Sequence, residues 1–181
     1  MPVISTVSYE GAANDAAAAI YELAKQQVVG VSTEISYYNI FGQETAASVT
    51  GSGVIITEDG YILTNYHVIE DAYKGGYQVE VMMYDETTYD AEIIGFDKDN
   101  DIALLKIDAT GLYAAQLGDS DNLVVGETVY AVGNPLGELS YTMTSGIVSA
   151  TNRTITTDSN IAVTMFQIDA AINSGNSGGP V

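Results

Sequence analysis

The chain has 181 residues, 46% of them hydrophobic and 16% charged, which allows a sizeable core and excludes a disordered chain. Five Lys+Arg against 24 Asp+Glu give a formal charge of −19, a surface that repels phosphate backbones and anionic lipid, so nucleic acid is excluded as an expected partner. No cysteine is present for a disulfide framework or a thiolate metal site, and no apolar stretch approaches the roughly 20 residues that cross a bilayer, so no membrane contact is expected of this segment.

Asn14 and Asp15 stand where they can cap a short helix from Asp15 to Lys25, and its alanine run favours that state. From Val28 onward the pattern changes to runs rich in Val, Ile, Thr and Tyr, punctuated by Gly, Asp and Asn, which reads as successive strands. Strands are expected near 28–36, 48–57, 61–66, 77–85, 87–96 and 102–107, with Glu58-Asp59-Gly60 as a hairpin turn. Beyond a loop around 118–122, further strands are expected near 127–133, 140–150 and 161–168. Helix content outside the N-terminal segment should be low.

The tail, Asn173-Ser174-Gly175-Asn176-Ser177-Gly178-Gly179-Pro180, sets a serine among glycines, where a tight loop can expose its hydroxyl. A hydroxyl becomes a useful nucleophile when an imidazole takes its proton, and the imidazole needs a carboxylate to hold its tautomer. The only histidine, His67, lies in Leu63-Thr64-Asn65-Tyr66-His67-Val68, and the acidic run ending at Asp101 leads into Ile102-Ala103-Leu104-Leu105. The chain order His67, Asp101, Ser177, with separations of 34 (101 − 67) and 76 (177 − 101) residues, is the chymotrypsin order and not that of subtilisins or α/β-hydrolases. Asp97-x-Asp99-x-Asp101 imitates the opening of a calcium loop, but Ile102 stands where the turn requires glycine, so no metal is expected.

Three blocks, Thr64-Asn65-Tyr66-His67-Val68, Asp99-Asn100-Asp101-Ile102-Ala103-Leu104-Leu105-Lys106 and Gly175-Asn176-Ser177-Gly178-Gly179-Pro180, resemble the active-site segments of the HtrA/Deg family of trypsin-like serine proteases. Gly51-Ser52-Gly53-Val54, Leu117-Gly118-Asp119-Ser120, Val132-Gly133-Asn134-Pro135 and Thr144-Ser145-Gly146-Ile147 resemble that family in the same order, so the likeness runs from about Val28 to the end. It implies an all-β, chymotrypsin-like double β-barrel with a short N-terminal helix. The expected division is a segment 1–26, a first barrel 27–120 carrying His67 and Asp101, and a second barrel 121–181 carrying Ser177. Against six strands per barrel in the family, the second barrel here is incomplete, and a chain lacking those strands is expected to be weak or inactive alone.

The resemblance further implies serine endopeptidase activity through an acyl-enzyme, with unfolded protein or peptide substrates, no cofactor, and a possible homo-oligomer. Backbone N–H groups of Gly175, Asn176 and Ser177 are expected to form the oxyanion hole, and Ala171, Ile172 and Asn173 to contact the substrate residue before the cleaved bond. The family's usual location implies the cell envelope or the extracellular space. Digestive relatives activate by pairing a new N-terminus with an aspartate just before the serine, a position that is Asn176 here, so loop ordering by substrate or assembly is the expected switch. The contrasting reading is an inactive fragment or a chaperone-like, peptide-binding β-barrel module, which the intact His67, Asp101 and Ser177 disfavour.

Overall fold

The structure, a computed structural model, describes residues 16–38, 41–134, 141–156, 162–173 and 175–181. Helix α1 spans Ala16–Gln27; the expected caps Asn14 and Asp15 lie outside the described residues. Strands β1 (Val28–Tyr38), β2 (Glu44–Ile55) and β3 (Tyr61–Thr64) lead into helix α2 (Tyr66–Gly75), followed by β4 (Val79–Met82), β5 (Thr88–Asp97) and β6 (Ile102–Ile107). These six strands close into a barrel in the order β1-β2-β3-β6-β5-β4, every pair antiparallel. A three-stranded sheet follows, β7 (Thr128–Gly133), β8 (Thr142–Thr156) and β9 (Ala162–Ile168).

Period-two alternation builds the barrel core. In β6, Ala103, Leu105 and Ile107 are buried while Ile102, Leu104 and Lys106 are more open, and β4 alternates in the same way with Val79 and Val81 inside. Val29, Val31, Ile55 and Ile62 complete the packing from β1 to β3. Each such fully buried aliphatic side chain contributes about 1.5–3 kcal/mol, so the apolar interior is the main source of the barrel's stability. The β2–β3 hairpin turns where expected: Gly60 takes φ +101 and donates its N–H to the Thr57 carbonyl at 3.2 Å.

One expectation is corrected. The third strand ends at Thr64, not at residue 66, and the residues after Asn65 form α2, a helix the sequence reading did not anticipate. Val68, Ile69 and Ala72 recur at helical spacing and are buried with Tyr66 in the barrel core, so burial of one helical face overrides the β preference of Val, Ile and Tyr. Gly76, in the left-handed region at φ 68, closes the helix by donating to the Ala72 carbonyl. Three strands are also longer than expected, β1 reaching Tyr38, β2 starting at Glu44 and β8 reaching Thr156, whereas β4 covers only Val79–Met82 of the expected 77–85.

Helix α1 fastens the sheet to the barrel. The Tyr21 hydroxyl donates to the Tyr141 carbonyl at 3.0 Å, Gln27 Nε2 to the Ala114 carbonyl at 3.1 Å, and the Tyr141 hydroxyl to the Val28 carbonyl at 3.3 Å. Val28, Val132 and Tyr141 form a second small core there, with Tyr21, Ala24 and Met143 against it. Among the described residues, no helix is long and apolar enough to cross a membrane.

Candidate active site

His67 is held by the start of α2. Asn65 occupies the N-cap position with extended backbone, yet its side chain does not cap the helix; Nδ2 donates instead to the Asp101 carbonyl at 2.8 Å. That bond ties the loop before β6 to the residue two before His67. On the other side of the loop, Lys98 lies 3.7 Å from Glu70 of α2, and the Lys74 ammonium at 2.8 Å from Glu70 holds that carboxyl below its usual range. These exposed pairs are worth little individually, but they place the loop against the same helix.

The acidic run folds as a turn in which Asp97 and Asp101 have separate tasks. Asp97 accepts the N–H groups of Asp99 at 3.0 Å and Asn100 at 3.2 Å, and Asn100 Nδ2 at 2.7 Å. Asp101 then takes φ 54, a left-handed conformation that Asp tolerates better than most residues. Its carboxylate reaches back to His67 with both oxygens, Oδ1 accepting the backbone N–H at 2.8 Å and Oδ2 lying 2.7 Å from Nδ1. An ionised carboxylate only accepts, so in the neutral imidazole this contact selects the tautomer with the proton on Nδ1 and the lone pair on Nε2. Both side chains are about half exposed, 54% for His67 and 44% for Asp101.

The serine loop is anchored to β2, β3 and β7. The Ser177 carbonyl accepts the Ser52 N–H at 2.7 Å, and the Pro180 carbonyl accepts the Val132 N–H at 3.1 Å. Close approach at two glycines measures how tightly the loop sits beside the histidine segment. A Cβ on Gly178 would fall 2.2 Å from the Ser52 carbonyl, 2.4 Å from Thr64 Oγ1 and 3.1 Å from the Asn65 nitrogen. A Cβ on Gly51 would fall 2.7 Å from a Val68 methyl and 3.1 Å from the Ser177 carbonyl oxygen. The residues flanking Ser177 thus pack on the residues flanking His67, whereas the Ser177 hydroxyl itself makes no hydrogen bond among the described residues.

The backbone N–H groups differ in state. Asn176 N–H donates to the Asn173 carbonyl at 3.2 Å, while those of Gly175 and Ser177 have no acceptor among the described residues. The Asn176 side chain turns onto its own loop, Oδ1 accepting the Asn173 N–H at 3.2 Å and Nδ2 donating to the Ala171 carbonyl at 3.3 Å. A carboxylate could not make the second bond, so an amide at this position satisfies the loop without an incoming ammonium. Ala171, Ile172 and Asn173 expose their side chains, and Asp169 Oδ1 accepts the Ile147 N–H at 2.7 Å.

Sequence reasoning passed over a buried polar network beneath this surface. Ser52, Thr64 and Asn134 are buried; Thr64 Oγ1 donates to the Ser52 carbonyl at 2.7 Å, Asn134 N–H to Ser52 Oγ at 2.7 Å, and Ser52 Oγ to the Gly175 carbonyl at 2.6 Å. Leaving one of these carbonyls unsatisfied would cost about 1–3 kcal/mol. The available signal was the serine of Gly51-Ser52-Gly53 inside a Val- and Ile-rich strand, where a polar group needs a specific partner.

Residues 51–181 match the family model described as a trypsin-like peptidase domain. A relative from Halomonas elongata, named "Probable periplasmic serine endoprotease DegP-like", is 49% identical over 131 residues, 72% of this chain and 26% of that protein. The Arabidopsis thaliana "Protease Do-like 1, chloroplastic" is 44% identical over 140 residues, 73% of this chain and 30% of its own length. A solved variant of the HtrA-type protease AlgW with a decapeptide superposes with a TM-score of 0.80 at 33% identity, covering 91% of this chain and 54% of that one. The chain therefore spans about a quarter to a third of the length of these two curated relatives. The match across most of the chain, joined to the closed barrel and the paired His67 and Asp101, makes it a member of the trypsin-like peptidase family, in the HtrA/Deg group of serine proteases.

Proposed function

We propose that this chain carries the catalytic centre of an HtrA-type serine endopeptidase. The observation that carries the reading is the two-point grip of Asp101 on His67 beside a serine loop packed on Thr64, Asn65 and Val68. His67 Nε2 takes the Ser177 hydroxyl proton as Oγ bonds to the peptide carbonyl carbon, and Asp101 stabilises the imidazolium that results. The carbonyl oxygen becomes an oxyanion facing the N–H groups of Gly175 and Ser177, with Asn176 shaping the turn between them. Collapse breaks the C–N bond, His67 returns the proton to the leaving amine, and water then hydrolyses the acyl-enzyme by the same proton path in reverse. Ser177, His67 and water suffice for each bond change, so the mechanism calls for no cofactor.

The substrate class in this reading is unfolded protein or extended peptide, supported by the decapeptide named with the AlgW structure. The periplasmic names of several relatives support a cell-envelope location. We assign His67 and Asp101 to a first unit, 27–120, and Ser177 to a second, 121–181, preceded by the segment 1–26.

A fluorophosphonate tests the assignment on the full-length protein. Stoichiometric labelling on the peptide that contains Ser177, read by mass spectrometry, is the expected result; no labelling, or labelling elsewhere, overturns it.

Substrate preference follows from the residues before the serine. With Asp169 engaged by the Ile147 N–H, and with Ala171 and Ile172 proposed to contact the residue before the cleaved bond, that residue should be small or medium and aliphatic. A peptide library profiled by mass spectrometry checks this, and dominant cleavage after Lys or Arg would show that an acid reaches the pocket.

A further inference from the structure

Ser52 holds the serine loop at two points. Its side chain is fully buried at 0% exposure, accepts the Asn134 N–H at 2.7 Å and donates to the Gly175 carbonyl at 2.6 Å, while its backbone N–H donates to the Ser177 carbonyl at 2.7 Å. One residue of β2 therefore grips two carbonyls of the loop, one on each side of Asn176.

The geometric consequence falls on a single peptide. The Gly175 carbonyl and the Asn176 N–H share one plane, and that N–H donates to the Asn173 carbonyl, so the plane is fixed at both edges. The Ser177 carbonyl belongs to the plane after Ser177, fixed by the Ser52 N–H. Between them lies the Asn176–Ser177 peptide, whose N–H is a proposed oxyanion donor. Its own carbonyl accepts the Gly179 N–H at 2.9 Å, so all three successive planes are held, the outer two by Ser52. Gly175 at φ 107 and Gly178 at φ 84 give the loop little conformational preference of its own, so its shape depends on these hydrogen bonds, two of which come from Ser52.

Resting on the protease reading above, we infer that Ser52 is a positioning residue that sets the oxyanion-binding peptide of the serine loop through its side-chain hydroxyl. The Ser52 hydroxyl touches neither substrate nor the reacting atoms; it acts through the Gly175 carbonyl. Asn134 N–H, at the end of β7, supplies the hydrogen bond that orients the hydroxyl so that its proton points to the loop. Removing the hydroxyl releases the carbonyl edge of the Gly175–Asn176 plane and should weaken transition-state stabilisation more than substrate binding.

The test is steady-state peptide hydrolysis by the full-length protein. Ser52→Ala should lower kcat by about 10- to 100-fold, less than the loss of an oxyanion donor itself, with KM within about twofold of the parent. Thr33→Val is the control for a purely structural role, because Thr33 is also buried and its hydroxyl donates to the Gln78 carbonyl at 2.7 Å, between β1 and the segment before β4. It should lower Tm comparably and leave kcat unchanged. Should Ser52→Ala fail to fold, Ser52→Cys carries the same comparison, since a thiol fills the site and donates only weakly. The inference is overturned if the Ser52 variant keeps kcat within about twofold, or if Thr33→Val at equal loss of Tm reproduces the fall. Ser177→Ala in the same assay separates the two readings. Turnover surviving in Ser177→Ala sinks the protease assignment and this inference with it, whereas a dead Ser177→Ala beside an unimpaired Ser52→Ala sinks this inference alone.

Discussion

Replacing Ser177 by alanine is expected to abolish proteolysis by the full-length protein, with casein turnover falling about 10⁶-fold, the scale seen when a serine protease loses its nucleophile. The loss is chemical and not conformational. The Ser177 hydroxyl makes no hydrogen bond among the described residues, whereas its carbonyl bond to the Ser52 N–H belongs to the backbone and survives the change. Gly178 and Gly51, whose close approaches seat the loop, are untouched. The variant should therefore melt within a degree or two of the parent and still bind peptide, because only one half-buried hydroxyl is exchanged for hydrogen. Casein cleavage is followed by gel and melting by circular dichroism. Unchanged cleavage would remove Ser177 from the mechanism, and a large drop in Tm would show that the hydroxyl has a structural partner.

What the sequence disclosed depends on whether the signal is local. The strand at 102–107, the Gly60 turn and the acidic run before Ile102 are local patterns, and each is found where it was read. The order His67, Asp101, Ser177 is legible because each residue sits in a short motif whose chemistry needs that residue type. Helix α2 was not legible, since Tyr66, Val68, Ile69 and Tyr73 have the composition of a strand and only packing on the barrel core, a tertiary feature, favours the helical face. Ser52 was not legible for a related reason. Its partners, Asn134 and Gly175, stand 82 and 123 residues away in sequence, and no spacing rule connects them. The side chain of Asn65 shows the same limit: at the N-cap position of α2 it donates its amide to the Asp101 carbonyl instead of capping the helix, because the loop that carries the carboxylate lies within reach.

Asp101→Asn tests the other half of the site, and a fall in kcat of about 10⁴-fold is expected, as for a triad whose imidazole is left in the wrong tautomer. Asp101 now accepts twice, from the His67 backbone N–H through Oδ1 and from Nδ1–H through Oδ2. An asparagine keeps the first bond with its carbonyl oxygen and must present its NH₂ to Nδ1, which then has to accept. The ring proton moves to Nε2, the nitrogen that faces the serine loop in the proposed mechanism, and that nitrogen can no longer take the Ser177 proton. The geometry is preserved, the chemistry inverted. Stability should change little, because both side chains are about half exposed and an open pair of this kind contributes at most about 1 kcal/mol. The Asp101 carbonyl, held by Asn65 Nδ2, continues to fix the loop in the variant. Fluorophosphonate labelling should slow in step with kcat, since both reactions need the same proton removed from Ser177. His67 is the only histidine of the chain, so its ring ¹⁵N shifts report the tautomer directly. A variant that retains kcat within about tenfold, or whose proton stays on Nδ1, would show that Asp101 does not set the state of His67.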